Sequence, residues 1–253
     1  MVSRSMPSRR SRAGPEPGAV ERAAYLLLTY LLAAVPFGVV LTTLYGGDED
    51  VRRAGSGNIG ATNVARVYGA GLGIQVALLD ALKGFVPVAL ARVLWPEAGM
   101  LWWGGVTMVA FVAHCYPVYL EFKGGKGVAT AAGALLALSP QATLPAVLVW
   151  IVLLRASGKS SVAALGAAAS LVGFAVYLGP SVLPVVGGLT AGILTTHVPN
   201  IRRLIRGQES TVVRPVRWGQ RAETDVSVLL GQGPAGGPAR PAWGAAPAPD
   251  EAS

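Results

Sequence analysis

Between Ala23 and His197 the chain passes through a succession of long apolar stretches joined by short polar loops. The first stretch, "AAYLLLTYLLAAVPFGVVLTTLY" (Ala23–Tyr45), carries no charged residue and is long enough to cross a bilayer. In hydrocarbon a backbone N–H or C=O finds no water, so such a stretch must satisfy its own polar groups, as a helix does. Composition agrees. Apolar residues make up 52% of the 253 and charged residues only 13%, against about 25% charged in a soluble domain. The pattern describes an all-α integral membrane protein.

Further spans are expected at Ala70–Leu94, Met100–Leu120, Ser161–Leu178 and Pro180–His197, with a kink at Pro36 in the first. Residues 127–154 are too long for one upright span and carry Pro140 and Pro145 near their middle. They are expected to form two half-length helices turning at "ALSPQATLP", each reaching about 20 Å at 1.5 Å per residue. Parity supports this division. If the polar loops at 46–68, 120–126 and 198–210 build one site, they share a side of the membrane, and residues 127–154 then cross twice or not at all. Two crossings give about seven helices, some short, with the amino terminus outside.

Residues 1–22, basic and Pro-containing, and residues 211–253, rich in Pro, Gly and Ala, are expected to be disordered tails around a membrane domain at 23–210. The net charge is +8, from 17 Arg, 4 Lys and 13 acidic residues. Most membrane-domain cations fall on the proposed inner loops, as cytoplasmic loops require; the five arginines of the first 22 residues run against that rule. The basic excess suits anionic lipid or phosphorylated substrates. No basic run interleaves with aromatics, so no nucleic-acid partner is expected. The single cysteine, Cys115, permits no internal disulfide. No metal cluster is visible, and neither metal nor cofactor is expected.

The loops carry the chemistry. In "GSGNIGATNVARVYG" (Gly55–Gly69), Gly55, Gly57 and Gly60 can bring backbone amides close to an anion. Ser56, Asn58, Thr62 and Asn63 add neutral hydrogen-bonding groups, and Arg66 a planar fork suited to phosphate. The alternative is a flexible loop whose glycines only make turns. In "HCYPVYLEFKGGKGVAT" (His114–Thr130), Gly124, Gly125 and Gly127 flank Lys126 at the start of a helix. A cation disfavours a helix amino end, so an anion between Lys126 and the amides would explain it, unless the lysine snorkels to the interface. In "HVPNIRRLIRGQE" (His197–Glu209), His197, Asn200 and Arg203 recur every three residues and share a helical face; a basic segment touching headgroups is the alternative. Asp80 and Lys83, three apart inside a span, form either a structural bridge or part of the site. Three loops of phosphate type exceed what one anion needs and suggest one or two phosphorylated substrates.

"GSGNIGATN", "H-x-Y-P-(x5)-F-K-G-G-K-G-V-A-T" and "H-x-x-N-I-x-R-L-x-x-G-x-E", in this order between apolar spans, resemble the bacterial acyl-phosphate:glycerol-3-phosphate acyltransferase (PlsY) family over residues 24–209. "D-x-R" at Asp50–Arg52 and "L-D-x-x-K-G" at Leu79–Gly84 add to the match. The resemblance implies a seven-helix, multi-pass enzyme of the bacterial inner (plasma) membrane with its active site facing the cytoplasm. It would move a fatty acyl group from acyl phosphate to the 1-hydroxyl of glycerol 3-phosphate, giving lysophosphatidic acid and inorganic phosphate. Membrane lipid and the enzyme that makes acyl phosphate are the implied partners. The functional positions it carries over are Ser56, Arg66, Lys126, His197 and Asn200. Asp80, Lys83, His114 and Glu209 are candidates for support. The chain departs from the family at "AAVP" (Ala33–Pro36), where a serine is common, at Thr42–Thr43, where a lysine often lies nearby, and at Ala113, where glycine usually precedes the histidine.

No Ser–His–acid arrangement is evident, and Tyr119 and Arg202 stand where an aspartate five residues after either histidine would indicate acyl-CoA-type enzymes. With the already activated acyl phosphate that the resemblance implies, direct attack by the glycerol 3-phosphate hydroxyl is expected, with either a substrate phosphate oxygen or His197 or His114 as proton acceptor. A transporter of an organic phosphate is the alternative function, and it would call for inverted repeats and mid-bilayer charge.

Overall fold

A computed structural model describes residues 18–45 and 50–212; the two expected tails fall largely outside the described residues. The elements are α1 (Ala19–Ala33), α2 (Phe37–Leu44), α3 (Ala61–Tyr68), α4 (Ala70–Leu94), α5 (Gly99–Cys115), α6 (Val128–Leu138), α7 (Pro140–Ser157), α8 (Ser160–Leu178), α9 (Leu183–Thr196) and α10 (Val198–Ile205). Among the described residues there is no strand, so the all-α expectation holds. Helices α4, α5, α7 and α8 are each long and apolar enough to cross a membrane, and α1 with α2 passes the same test only as a pair, bent by 41° at the break between them. Helices α6 and α9 are apolar but have only 11 and 14 residues. At 1.5 Å per residue they reach about 16 and 21 Å, well short of a bilayer's hydrocarbon.

Helix α1 begins at Ala19, four residues ahead of the expected span. The Glu21 carboxylate accepts a hydrogen bond from the Gly18 amide at 3.0 Å, which closes an otherwise unsatisfied helix start. The expected kink at Pro36 is a full break. Carbonyls next to the break lose their partners, and the Lys83 ammonium of α4 donates to one of them, Val35 O, at 2.7 Å. The same ammonium lies 2.9 Å from Asp80 Oδ1, with both side chains 3% exposed. Through Lys83 the pair ties α4 to the α1–α2 break.

Residues 127–154 differ from expectation. The chain turns once, at Ser139, and α7 then runs as a full helix of 18 residues rather than a half-length one. Pro140 sits in its first turn, where a missing N–H costs nothing, and Pro145 lies a little farther in, where only one helical bond is lost. Only α6 is short. It is held by close backbone approach to α4: Gly84 lies against the Thr130 carbonyl and Gly133 against the Ala81 carbonyl, with no room for a side chain at either. Between membrane helices, where hydrophobic burial gives little drive, such contacts supply the packing.

The departures from the family pattern lie away from the loops. Ala33 at the end of α1 and Ala34 just after it pack with Ala110 and Ala113 of α5 in one small buried cluster, beside Tyr30.

Candidate functional site

Residues from all three polar loops line one cavity of about 370 Å³. Loop 56–60 and α3 contribute Ser56, Asn58, Gly60, Thr62, Asn63 and Arg66; the turn into α6 gives Lys126 and Gly127. His197, Asn200, Arg203 and Glu209 close the opposite wall, and Asp80 and His114 reach it from α4 and α5. The five candidate catalytic residues thus meet, as the shared-side argument requires.

Asn63 is fully buried and holds the first loop. Its Nδ2 donates to the carbonyls of Val51 (3.1 Å) and Ala54 (3.0 Å), while its Oδ1 accepts from the Ser56 amide (2.8 Å) and Arg66 (3.3 Å). An amide side chain offers two donors and two acceptor sites, so Asn63 has nothing left for a ligand and shapes the loop instead. The glycines need a similar correction. The amide of Gly57 donates to Ala54 O (2.9 Å) and that of Gly60 to Asn58 Oδ1 (2.8 Å). Those of Gly124 and Gly125 donate to Cys115 O and His114 O, both at 3.1 Å. Gly55, at φ 59°, lies against Asn63 Oδ1. Gly55, Gly57, Gly124 and Gly125 are absent from the cavity wall, and the amides of Gly57, Gly124 and Gly125 are already spent on nearby carbonyls rather than open to a phosphate. Gly125 has a different use: it leaves space for the His114 ring. Beneath this turn, Cys115 is buried and Gly127 lies close to its thiol.

Attraction for an anion therefore falls to the side chains of Arg66, Lys126 and Arg203 and to the start of α6, whose Gly127, Val128 and Ala129 face the cavity. Lys126 is half-buried and has no salt bridge among the described residues. Burial draws its ammonium down to about 8; nearby Arg203 and Arg66 push the same way, and Glu209 opposes them. Lys123, by contrast, is exposed, pairs with Glu121 at 3.3 Å and stands outside the cavity.

The His197 ring is buried, with Nδ1 2.8 Å from the Ile193 carbonyl. A carbonyl can only accept, so Nδ1 carries the proton and Nε2 keeps its lone pair. Helix α10 begins one residue later, and Pro199 sits harmlessly in its first turn. Glu209 accepts from Asn200 Nδ2 (2.6 Å) and from Arg203 Nε (2.7 Å). Burial by itself would raise the Glu209 carboxyl, but Asn200, Ser161 and Arg203 together outweigh it and hold the acid below the ordinary carboxylate range. A carboxylate only accepts, so it fixes the Asn200 amide with Oδ1 turned away, buried and without a partner. The strap that carries Glu209 is itself tied down where the Val212 amide meets Gly158 O at 2.7 Å.

His114 Nδ1 lies 3.6 Å from Asp80 Oδ1, so His114, Asp80 and Lys83 form one buried group at the cavity's edge. Lys83 does not reach the cavity.

The sequence leads to the expectation of a groove between helices for an acyl chain, opening laterally into the bilayer, but does not say which residues line it. The cavity continues as an apolar arm between α6, α7 and α8, past Leu135, Trp150 and Leu171. Its signal was present on α8, where Ser160, Ala164, Ala167, Ala168 and Leu171 recur at one-face spacing.

A family model described as "Glycerol-3-phosphate acyltransferase" matches residues 23–207. The chain belongs to this family. It is 48% identical over 193 residues to a glycerol-3-phosphate acyltransferase of Myxococcus xanthus, covering 74% of this chain and 97% of the relative. It is 46% identical over 188 residues to one of Syntrophotalea carbinolica, covering 73% and 94%. Among solved structures it is similar to PlsY, described as an integral membrane glycerol 3-phosphate acyltransferase. The glycerol 3-phosphate form matches at 36% identity and TM-score 0.69, and the lysophosphatidic acid form at 37% and 0.67; each covers 75% of this chain and 94% of the other. The chain is thus a membrane acyltransferase of the glycerol-3-phosphate family, and the transporter alternative is set aside.

Proposed function

We propose that this enzyme transfers an acyl group from acyl phosphate to the 1-hydroxyl of glycerol 3-phosphate at the cytoplasmic face of a bacterial inner membrane. The observation that carries the reading is a cavity with two characters: cations from three separate loops, Arg66, Lys126 and Arg203, meet at one end, and an apolar arm leaves from the other. Such a shape suits a reactant pair with two phosphates and one chain.

In this reading Arg66, Lys126 and the α6 start hold the phosphates, with Ser56, Asn58 and Thr62 adding neutral hydrogen bonds. The unpartnered Asn200 Oδ1 accepts the hydrogen bond of the attacking hydroxyl, and His197 Nε2 offers a second acceptor. The hydroxyl oxygen bonds to the acyl carbon, the bond from that carbon to the phosphate oxygen breaks, and inorganic phosphate leaves. The hydroxyl proton passes to a phosphate oxygen, while His197 orients. His197→Gln keeps a side-chain acceptor but no base of imidazole strength. Most turnover is expected to survive in folded protein, and a loss of more than about 100-fold, the scale of general-base catalysis, would make His197 the base.

The deciding assay takes purified protein, glycerol 3-phosphate and either palmitoyl phosphate or palmitoyl-CoA, and follows phosphate and lysophosphatidic acid. Equal release of both products from palmitoyl phosphate supports the donor; lysophosphatidic acid from palmitoyl-CoA alone refutes it.

A further inference from the structure

The apolar arm changes character along its length. On α8 the lining residues are small, Ala164, Ala167 and Ala168, until Leu171; on α6, Ala131 and Ala132 give way to Leu135. Both leucines are buried, Leu135 1% and Leu171 8% exposed, and they are the bulkiest lining side chains of α6 and α8. At 1.5 Å per residue, Leu135 lies about 12 Å along α6 from Gly127, and Leu171 about 16 Å along α8 from Ser160. A zigzag of C–C bonds of about 1.5 Å advances about 1.3 Å per carbon, so this depth takes roughly 9 to 13 extended carbons.

Resting on the acyltransferase reading above, we infer that Leu135 and Leu171 form a stop that measures the acyl chain, with Ala168 setting the bore just before it. The arm is continuous with the phosphate end of the cavity, which fixes its occupant as the chain attached to the reacting carbonyl. Chains longer than the arm must fold back against the stop, and this crowding raises their free energy relative to shorter ones.

The test measures binding of 1-acyl-glycerol 3-phosphates with 12 and 18 carbons to the full-length protein in detergent. Each lipid's own partitioning is the same for every variant and cancels between variants. Leu171→Ala deepens the arm and should raise the affinity of the 18-carbon lipid relative to the 12-carbon one by about tenfold, within the range for relief of overpacking. Ala168→Leu shortens it and should shift the same ratio the other way. Leu135→Ala repeats the first change from the facing helix, should Ala168→Leu not fold. An unchanged ratio in folded Leu171→Ala and Leu135→Ala overturns the stop and means that the chain leaves sideways past Val147, which lines the arm and is exposed. Turnover of acyl phosphate and acyl-CoA by the same preparations tests the donor separately. A wrong donor leaves the binding ratios moving, whereas a wrong stop leaves acyl-phosphate turnover in place with fixed ratios.

Discussion

Lys123 and Lys126 lie three positions apart in one Gly-rich loop, yet only Lys126 reaches the cavity. Replacing Lys126 by Ala should cut kcat/KM for glycerol 3-phosphate by about 10- to 100-fold, the scale of one charge-assisted hydrogen bond. Lys123→Ala should stay within about twofold, since exposed pairs such as Lys123–Glu121 contribute little. Comparable losses in both would remove Lys126 from its role. Because burial draws the Lys126 ammonium down to about 8, its positive charge is present below that pH and is lost as pH rises through it. Glycerol 3-phosphate should therefore bind more weakly above about pH 8. Lys126→Arg keeps its charge throughout, so its binding, measured by calorimetry, should lose this alkaline fall even if its affinity is lower. Residue types at this scale were legible in the sequence: all five residues transferred by resemblance line the cavity. What each loop glycine does was not legible. A glycine amide aimed at a ligand and one spent on a nearby carbonyl, as at Gly124 and Gly125, look alike until the partner's position is known.

At the scale of elements, the Asp80–Lys83 pair ties α4 to the α1–α2 break. Removing one partner of a buried pair leaves a charge uncompensated, at about 3–5 kcal/mol. Lys83→Met and Asp80→Asn should each lower the thermal unfolding midpoint markedly. The double variant should recover part of the loss, and simple additivity would contradict the coupling. Periodicity and prolines revealed the number and order of the apolar segments but misjudged where residues 127–154 divide. Two prolines five apart suggested a turn between them, whereas Pro140 starts α7 and Pro145 is absorbed within its early part. The shortness of α6 could not be read locally, because it depends on the backbone contact through Gly84 and Gly133 with α4.

At the scale of the molecule, the reading requires three loops distant in sequence to share one side of the membrane. Cysteines placed at exposed positions Ser56, Lys123 and Ser210 should react with an impermeant maleimide from the same side in oriented vesicles. Reaction of any one from the opposite side would dismantle the common site. Segment counts show only that a shared side is compatible with residues 127–154 crossing twice, because the shared side was the premise of that count. A groove for the acyl chain was expected, but its lining was not legible, as it belongs to three helices at once and an alanine stripe on one of them also reads as ordinary packing.

The seclusion of Cys115 gives this membrane enzyme an experimental convenience. Its lone native thiol lies beneath the Lys126 turn, out of reach of aqueous reagents. Fluorophores or spin labels can then be attached at chosen sites in the otherwise wild-type sequence, with little background signal to subtract.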